Sequence, residues 1–146
     1  WANPLRPSWL ISDAMIEFIQ ADASGRYVST QTEMAEWGFT GFARVGTGTD
    51  PQSRFVVETI KPGRVDPESA PHIDLIVFMR GLLVHAYTRI YFEEETEANA
   101  HDPILQQVPA NRRSTLLARL DTSSTCPVYR FDIHMQGTNE TVFFDV

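Results

Sequence analysis

The chain has 146 residues, 42% of them hydrophobic and 21% charged, which suits one globular domain with its own core. Its formal net charge of −7 excludes a phosphate backbone as a natural partner, because nucleic acid needs a basic face. Cys126 is the single cysteine, which excludes an internal disulfide and any cysteine-rich metal site, and no apolar run approaches the roughly 20 residues of a membrane span.

In chain order, residues 1–12 hold Pro4, Pro7 and Ser8 and read as an irregular arm. Trp1-Ala2-Asn3-Pro4 has neither the basic nor the apolar region of a signal peptide, so the expected location is the cytoplasm. Ala14 to Gln20 predicts a largely buried strand, followed by a turn at Ala23-Ser24-Gly25-Arg26. Gly38, Gly41, Gly46 and Gly48 predict a long loop region from Thr30 to Pro51 with brief extended pieces. Arg54 to Ile60 predicts a second strand, ended by Lys61-Pro62-Gly63, and Val65 to Pro71 is again irregular. His72 to Phe78 and Leu82 to Phe92 predict two strands joined through Arg80-Gly81. In the second, Leu83, His85, Tyr87, Arg89 and Tyr91 share one face.

Glu93 to Ala100 predicts the clearest helix, with its acids at the N-terminal end, where the dipole favours them. Pro103 and Pro109 interrupt the next stretch, and Arg112 to Leu120 reads as a short helix running into a strand. Tyr129 to Met135 alternates as a strand, Gly137 to Glu140 turns, and Thr141 to Val146 closes the chain as a last strand. Short strands, Gly/Pro turns and little helix predict a mainly β fold: an antiparallel β-sandwich with short helices, one domain over residues 1–146.

No Walker loop, GxSxG, HExxH or paired CxxC occurs. His72 and Asp74 lie two apart in a strand and so share a face. They could offer two ligands to one metal, or His72 could start the strand and satisfy a backbone group. His85 and Tyr87 share a face in the same way. Arg80, beside Gly81, is either a solvated tip or a fixed guanidinium for a carboxylate or phenolate. The acids from Glu93 to Glu97 match no calcium loop and read better as a solvated helix start.

Several segments match one known pattern. Thr59-Ile60-Lys61-Pro62-Gly63 matches a TIKPG turn, and Ala70-Pro71-His72-Ile73 stands in the place of RPAHIH. Ile16 to Asp22 is similar to E-x-W-Q-A-[DN], with Ile19 replacing tryptophan. Arg89-Ile90-Tyr91-Phe92-Glu93-Glu94-Glu95 and the ending from Tyr129 to Val146 complete the pattern. From Asp13 onwards the chain resembles the intradiol ring-cleaving dioxygenases, and its C-terminal half resembles their alpha-type subunit.

The resemblance implies a ferric iron held by two tyrosines and two histidines, which binds a catecholate and activates it for attack by oxygen. The family's tyrosine after the KPG turn falls on Val65, and its H-x-H pair falls on His72-x-Asp74. Its other tyrosine belongs in the loop after Gly25-Arg26-Tyr27, yet no tyrosine lies between Tyr27 and Tyr87. The resemblance therefore implies no metal site and no catalytic residue acting in this chain alone. Fe(III) is expected on a partner, an iron-bearing beta subunit of the same family. The arginine of the F-x-R-G turn matches Arg80, whose implied role is substrate binding near that iron.

The implied reaction is cleavage of protocatechuate by O2 to 3-carboxy-cis,cis-muconate in an obligate heteromer. An N-terminal segment that alpha-type chains bring to the pocket has no match in residues 1–12. The rival readings are a non-catalytic β-sandwich binding module on the same scaffold and a self-sufficient iron enzyme. Val65 and Asp74 argue against the second.

Overall fold

The computed structural model describes residues 10–145, so most of the predicted N-terminal arm and the last residue lie outside the described residues. The strands are β1 (Met15–Gln20), β2 (Phe42–Gly46), β3 (His72–Phe78), β4 (Ala86–Phe92), β5 (Leu117–Asp121) and β6 (Val128–Arg130). They form one six-stranded sheet in the order β2-β1-β3-β4-β5-β6. Its neighbours pair antiparallel, except β4 and β5, which run parallel. The helical segments are short: α1 (Gln31–Trp37), α2 (Thr96–His101), α3 (Pro103–Gln107) and a 3-10 helix over Ala110–Leu116. The expected mainly β architecture with short helices is thus present, and no helix among the described residues is long and apolar enough to cross a membrane.

Period-two patterning sets the inner face. Ile16 and Phe18 of β1, Ile73 and Leu75 of β3, and Ile90 and Phe92 of β4 form one buried cluster with Ala118. Cross-strand register brings Phe18 opposite Leu75 and Ile73 opposite Ile90. The layer facing them is extended chain: Phe55 and Val57 from one segment, and Tyr129, Phe131 and Ile133 from another, pack onto the cluster. Their alternation is the one that predicted strands over 54–60 and 129–135. Only Val128–Arg130 joins a ladder, because alternation reports a buried face and not a free edge to pair with. The predicted closing strand likewise reduces to a single bridge, Phe144 to Tyr87.

Three other expectations change. β4 begins at Ala86, not Leu82, because Gly81, at φ +94°, opens a loop over 79–85 and pairing ends at Val77 with Ala86. The predicted loop region holds a helix, α1, and an edge strand, β2. Thr30 and Glu33 form a capping box and Gly38 caps the other end in the left-handed conformation, a signal present in the sequence as Thr30-x-x-Glu33. The acidic helix starts later than predicted, at Thr96. Glu93 and Glu94 lie in a turn, and Lys61 binds Glu94 (2.8 Å) and Glu95 (2.6 Å).

That lysine helps dock the KPG turn. Gln20, buried at the end of β1, donates to the Ile60 carbonyl (2.8 Å) and accepts from the Thr59 hydroxyl (2.8 Å). The Asp22 carbonyl accepts from Gly63 (2.8 Å) and Gly25 (3.0 Å), so the two turns meet backbone to backbone. Gly25 sits at φ +85°, and a Cβ there would lie 1.8 Å from the Arg64 carbonyl oxygen. Gly25→Ala should therefore lower unfolding stability by at least about 2 kcal/mol in urea melts, whereas Gly81→Ala, which meets nothing within 4 Å, should cost less.

Candidate functional site

The outer face of β3 and β4 is polar where the inner face is apolar. His72, Asp74, Arg89 and Tyr91 all lie on it, since Asp74 pairs with Arg89 and His72 with Tyr91 across the ladder. One half of this face is sealed by Leu105, Val108 and Leu116, which form a second buried cluster with Tyr91 and Ala70. The other half is open to solvent at Asp74 and at the half-exposed Tyr27.

Asp102 organises the sealed half. It is 1% exposed and accepts four hydrogen bonds: from the Tyr91 hydroxyl (3.1 Å), from Ile104 and Leu105 at the start of α3 (3.0 and 2.9 Å), and from Ala70 (2.8 Å). Pro103 follows it at the first helical position, so Asp102 is an N-cap whose second oxygen reaches another segment. The network then runs on. His72 Nδ1 lies 2.8 Å from the Ala70 carbonyl. Asp74 accepts from Arg89 Nε at 2.7 Å, and Arg89 Nη1 reaches the Tyr91 hydroxyl at 3.4 Å.

The electrostatics follow from burial. Desolvation pushes the Tyr91 phenol up, so it is a hydrogen-bond donor and not a tyrosinate. The Tyr27 phenol is raised by partial burial and then by the Asp74 charge, with Arg89 opposing. Burial disfavours the Arg89 charge, but Asp74 and Tyr91 outweigh it and raise its pKa.

His72 satisfies a backbone carbonyl, as one reading of it proposed, and its Nε2 also faces Asp74 Oδ2 at 3.9 Å. Val65 is half-buried near the Gly25 turn and offers no donor atom to a metal. Among the described residues no three His, Cys, Asp or Glu side chains gather as metal ligands. One histidine, a valine and a carboxylate already held by arginine do not fit a ferric donor set.

Arg80 stands apart from this network, at the β3–β4 tip, with its side chain 89% exposed and Nε 3.3 Å from Asp13. His85, expected on a strand face with Tyr87, lies instead in the loop before β4; it still hydrogen-bonds Tyr87 at 2.6 Å, and its ring lies tilted against Phe78. Pattern reading missed Arg89, Tyr91 and Asp102 as one unit. An arginine on a strand face opposite an aspartate was a signal, but hairpin register had to be known to use it.

The fold and its dioxygenase-like segments define a class, and comparison with known proteins agrees. The sequence profile of the dioxygenase family matches residues 7–137, and the chain belongs to that family. Among its relatives, the protocatechuate 3,4-dioxygenase alpha chain of Burkholderia cepacia is 59% identical over 138 residues, covering 94% of this chain and 70% of that protein. The alpha chain of the same name from Pseudomonas putida is 40% identical over 141 residues, 93% of this chain and 69% of that one. The protocatechuate 3,4-dioxygenase beta chain of Burkholderia cepacia is 31% identical over 144 residues, 90% of this chain and 60% of that one.

Asp102→Asn removes one acceptor oxygen from a buried hub with four donors. It should cost about 3 kcal/mol, read as a drop in the urea midpoint with secondary structure retained below the transition. A loss under about 0.5 kcal/mol would show that water replaces the lost acceptor.

Proposed function

We propose that this chain is the alpha, non-iron-binding subunit of a protocatechuate 3,4-dioxygenase. The observation that carries this reading is the Asp74–Arg89 pair at the position of the family's second histidine, in a chain 59% identical to an alpha chain. The iron-bearing partner is a beta subunit of the same family, and similarity to a beta chain supports a partner of related fold. Together they cleave protocatechuate with O2 between its hydroxyl-bearing carbons to give 3-carboxy-cis,cis-muconate, in the cytoplasm.

In this reading the chain's contribution is electrostatic. Arg80 sits on the loop over 79–85 with Leu83 (103% exposed) and Val84 (72% exposed). Such a run of exposed aliphatic residues next to an unburied arginine favours burial against a partner. The Asp13 contact occupies Nε and leaves the Nη groups to bind a carboxylate or phenolate of the substrate near the partner's iron. A guanidinium fixed there stabilises negative charge as it develops, and contributes no proton.

Iron analysis of the chain expressed alone should find no stoichiometric iron, and co-expression with its beta partner should give protocatechuate-dependent oxygen uptake. Stoichiometric iron in the lone chain would sink the subunit reading. Arg80→Ala in the assembled enzyme should reduce kcat/KM on the order of ten- to a hundredfold with iron content unchanged. Unaltered kinetics would remove Arg80 from the pocket.

A further inference from the structure

His72 is dressed as a metal ligand. The Ala70 carbonyl can only accept, so the hydrogen of the ring sits on Nδ1, and in the neutral ring the lone pair sits on Nε2. A ligating histidine is oriented in the same way, by giving its other N–H to a carbonyl or carboxylate. Its Nε2 faces Asp74 Oδ2 at 3.9 Å. A divalent ion bound tetrahedrally at about 2.0–2.2 Å from each donor holds the two donors roughly 3.4 Å apart, so a shift of about 0.5 Å brings the two atoms to chelating separation. His72 is 5% exposed, while Asp74 opens towards solvent.

What stands against a metal is Arg89. Cross-strand register places it directly opposite Asp74, and its Nε takes the other carboxylate oxygen at 2.7 Å. Tyr91, itself held by Asp102, contacts the far side of the guanidinium at 3.4 Å and limits where it can swing. The guanidinium stays charged at any working pH and cannot diffuse away. A dication placed between His72 and Asp74 would have to displace it or sit beside a like charge, which is unfavourable in a partly buried site. The fold uses the same device once more, where Lys61 fills the space between Glu94 and Glu95.

We infer that Arg89 is a built-in cation: its guanidinium holds the place beside His72 and Asp74 that a divalent metal would otherwise take, and keeps this chelating pair metal-free. This goes beyond the proposed subunit role and rests on the geometry of this chain alone, so it stands or falls independently of ring cleavage.

The test is zinc(II) binding by the full chain, measured by competition with a chromophoric chelator. Arg89→Gln should bind one zinc at least tenfold more tightly than the parent chain, and Asp74→Asn added to it should abolish the gain. Arg89→Lys, which keeps a positive charge at the position, should bind zinc no better than the parent. Equal affinity of Arg89→Gln and the parent would overturn the inference, as would a gain that survives loss of Asp74 or that Arg89→Lys shares. Should Arg89→Gln be unfolded without metal, saturating zinc should restore its melting transition by binding the folded form. Failure of zinc to restore it would overturn the inference equally.

Discussion

The buried carboxyl of Asp102 is the constraint on which this face of the molecule depends. Taking such a group out of water is costly unless hydrogen bonds replace the lost solvation. Four donors do so, and they come from three separate pieces of chain: the segment before β3, strand β4 and the start of α3. One side chain thereby fixes where the helical layer sits on the sheet. It also fixes the Ala70 segment, whose carbonyl orients His72, and the Tyr91 hydroxyl, which borders Arg89.

The two faces of the sheet have different tasks. The inner face is a nearly uniform apolar cluster closed by extended chain, and hydrophobic burial is its driving force. The outer face trades apolar area for charge, and its carboxylates have counterparts: Asp74 has Arg89, Glu17 has Arg44, and Asp102 has its donors. Carboxylates weighed as cation ligands in the sequence meet side-chain cations in the fold, Arg89 at Asp74 and Lys61 at Glu94 and Glu95. Both cations also hold elements together. Lys61 ties the KPG turn to the end of β4, and Arg89 ties β4 to β3.

Arg80 sits outside this internally compensated system. Its ion pair with Asp13 is exposed and worth little to stability. The same holds for the aliphatic loop beside it, which adds nothing to either core cluster. A segment that serves neither packing nor internal charge balance is where a partner or substrate has room to act, and this is why the proposed function places its weight there.

The residues themselves determined a good deal. Period-two patterning located β1, β3 and β4 and their buried faces, because alternation follows directly from strand geometry. The TIKPG turn and the C-terminal segments identified the dioxygenase family, and Val65 and Asp74 marked the loss of ligand chemistry, since side-chain identity alone decides whether a donor atom exists. α1 was legible too, in its capping box and Gly38, although glycine content pointed to a loop. Only the tertiary structure decided which extended segments enter the ladder, for that depends on a free neighbouring edge. It alone paired Asp74 with Arg89 and brought Tyr91 and Ala70 to Asp102. Those contacts join residues 11 to 32 positions apart, and no local pattern encodes a register or a buried hub set by loops and layers.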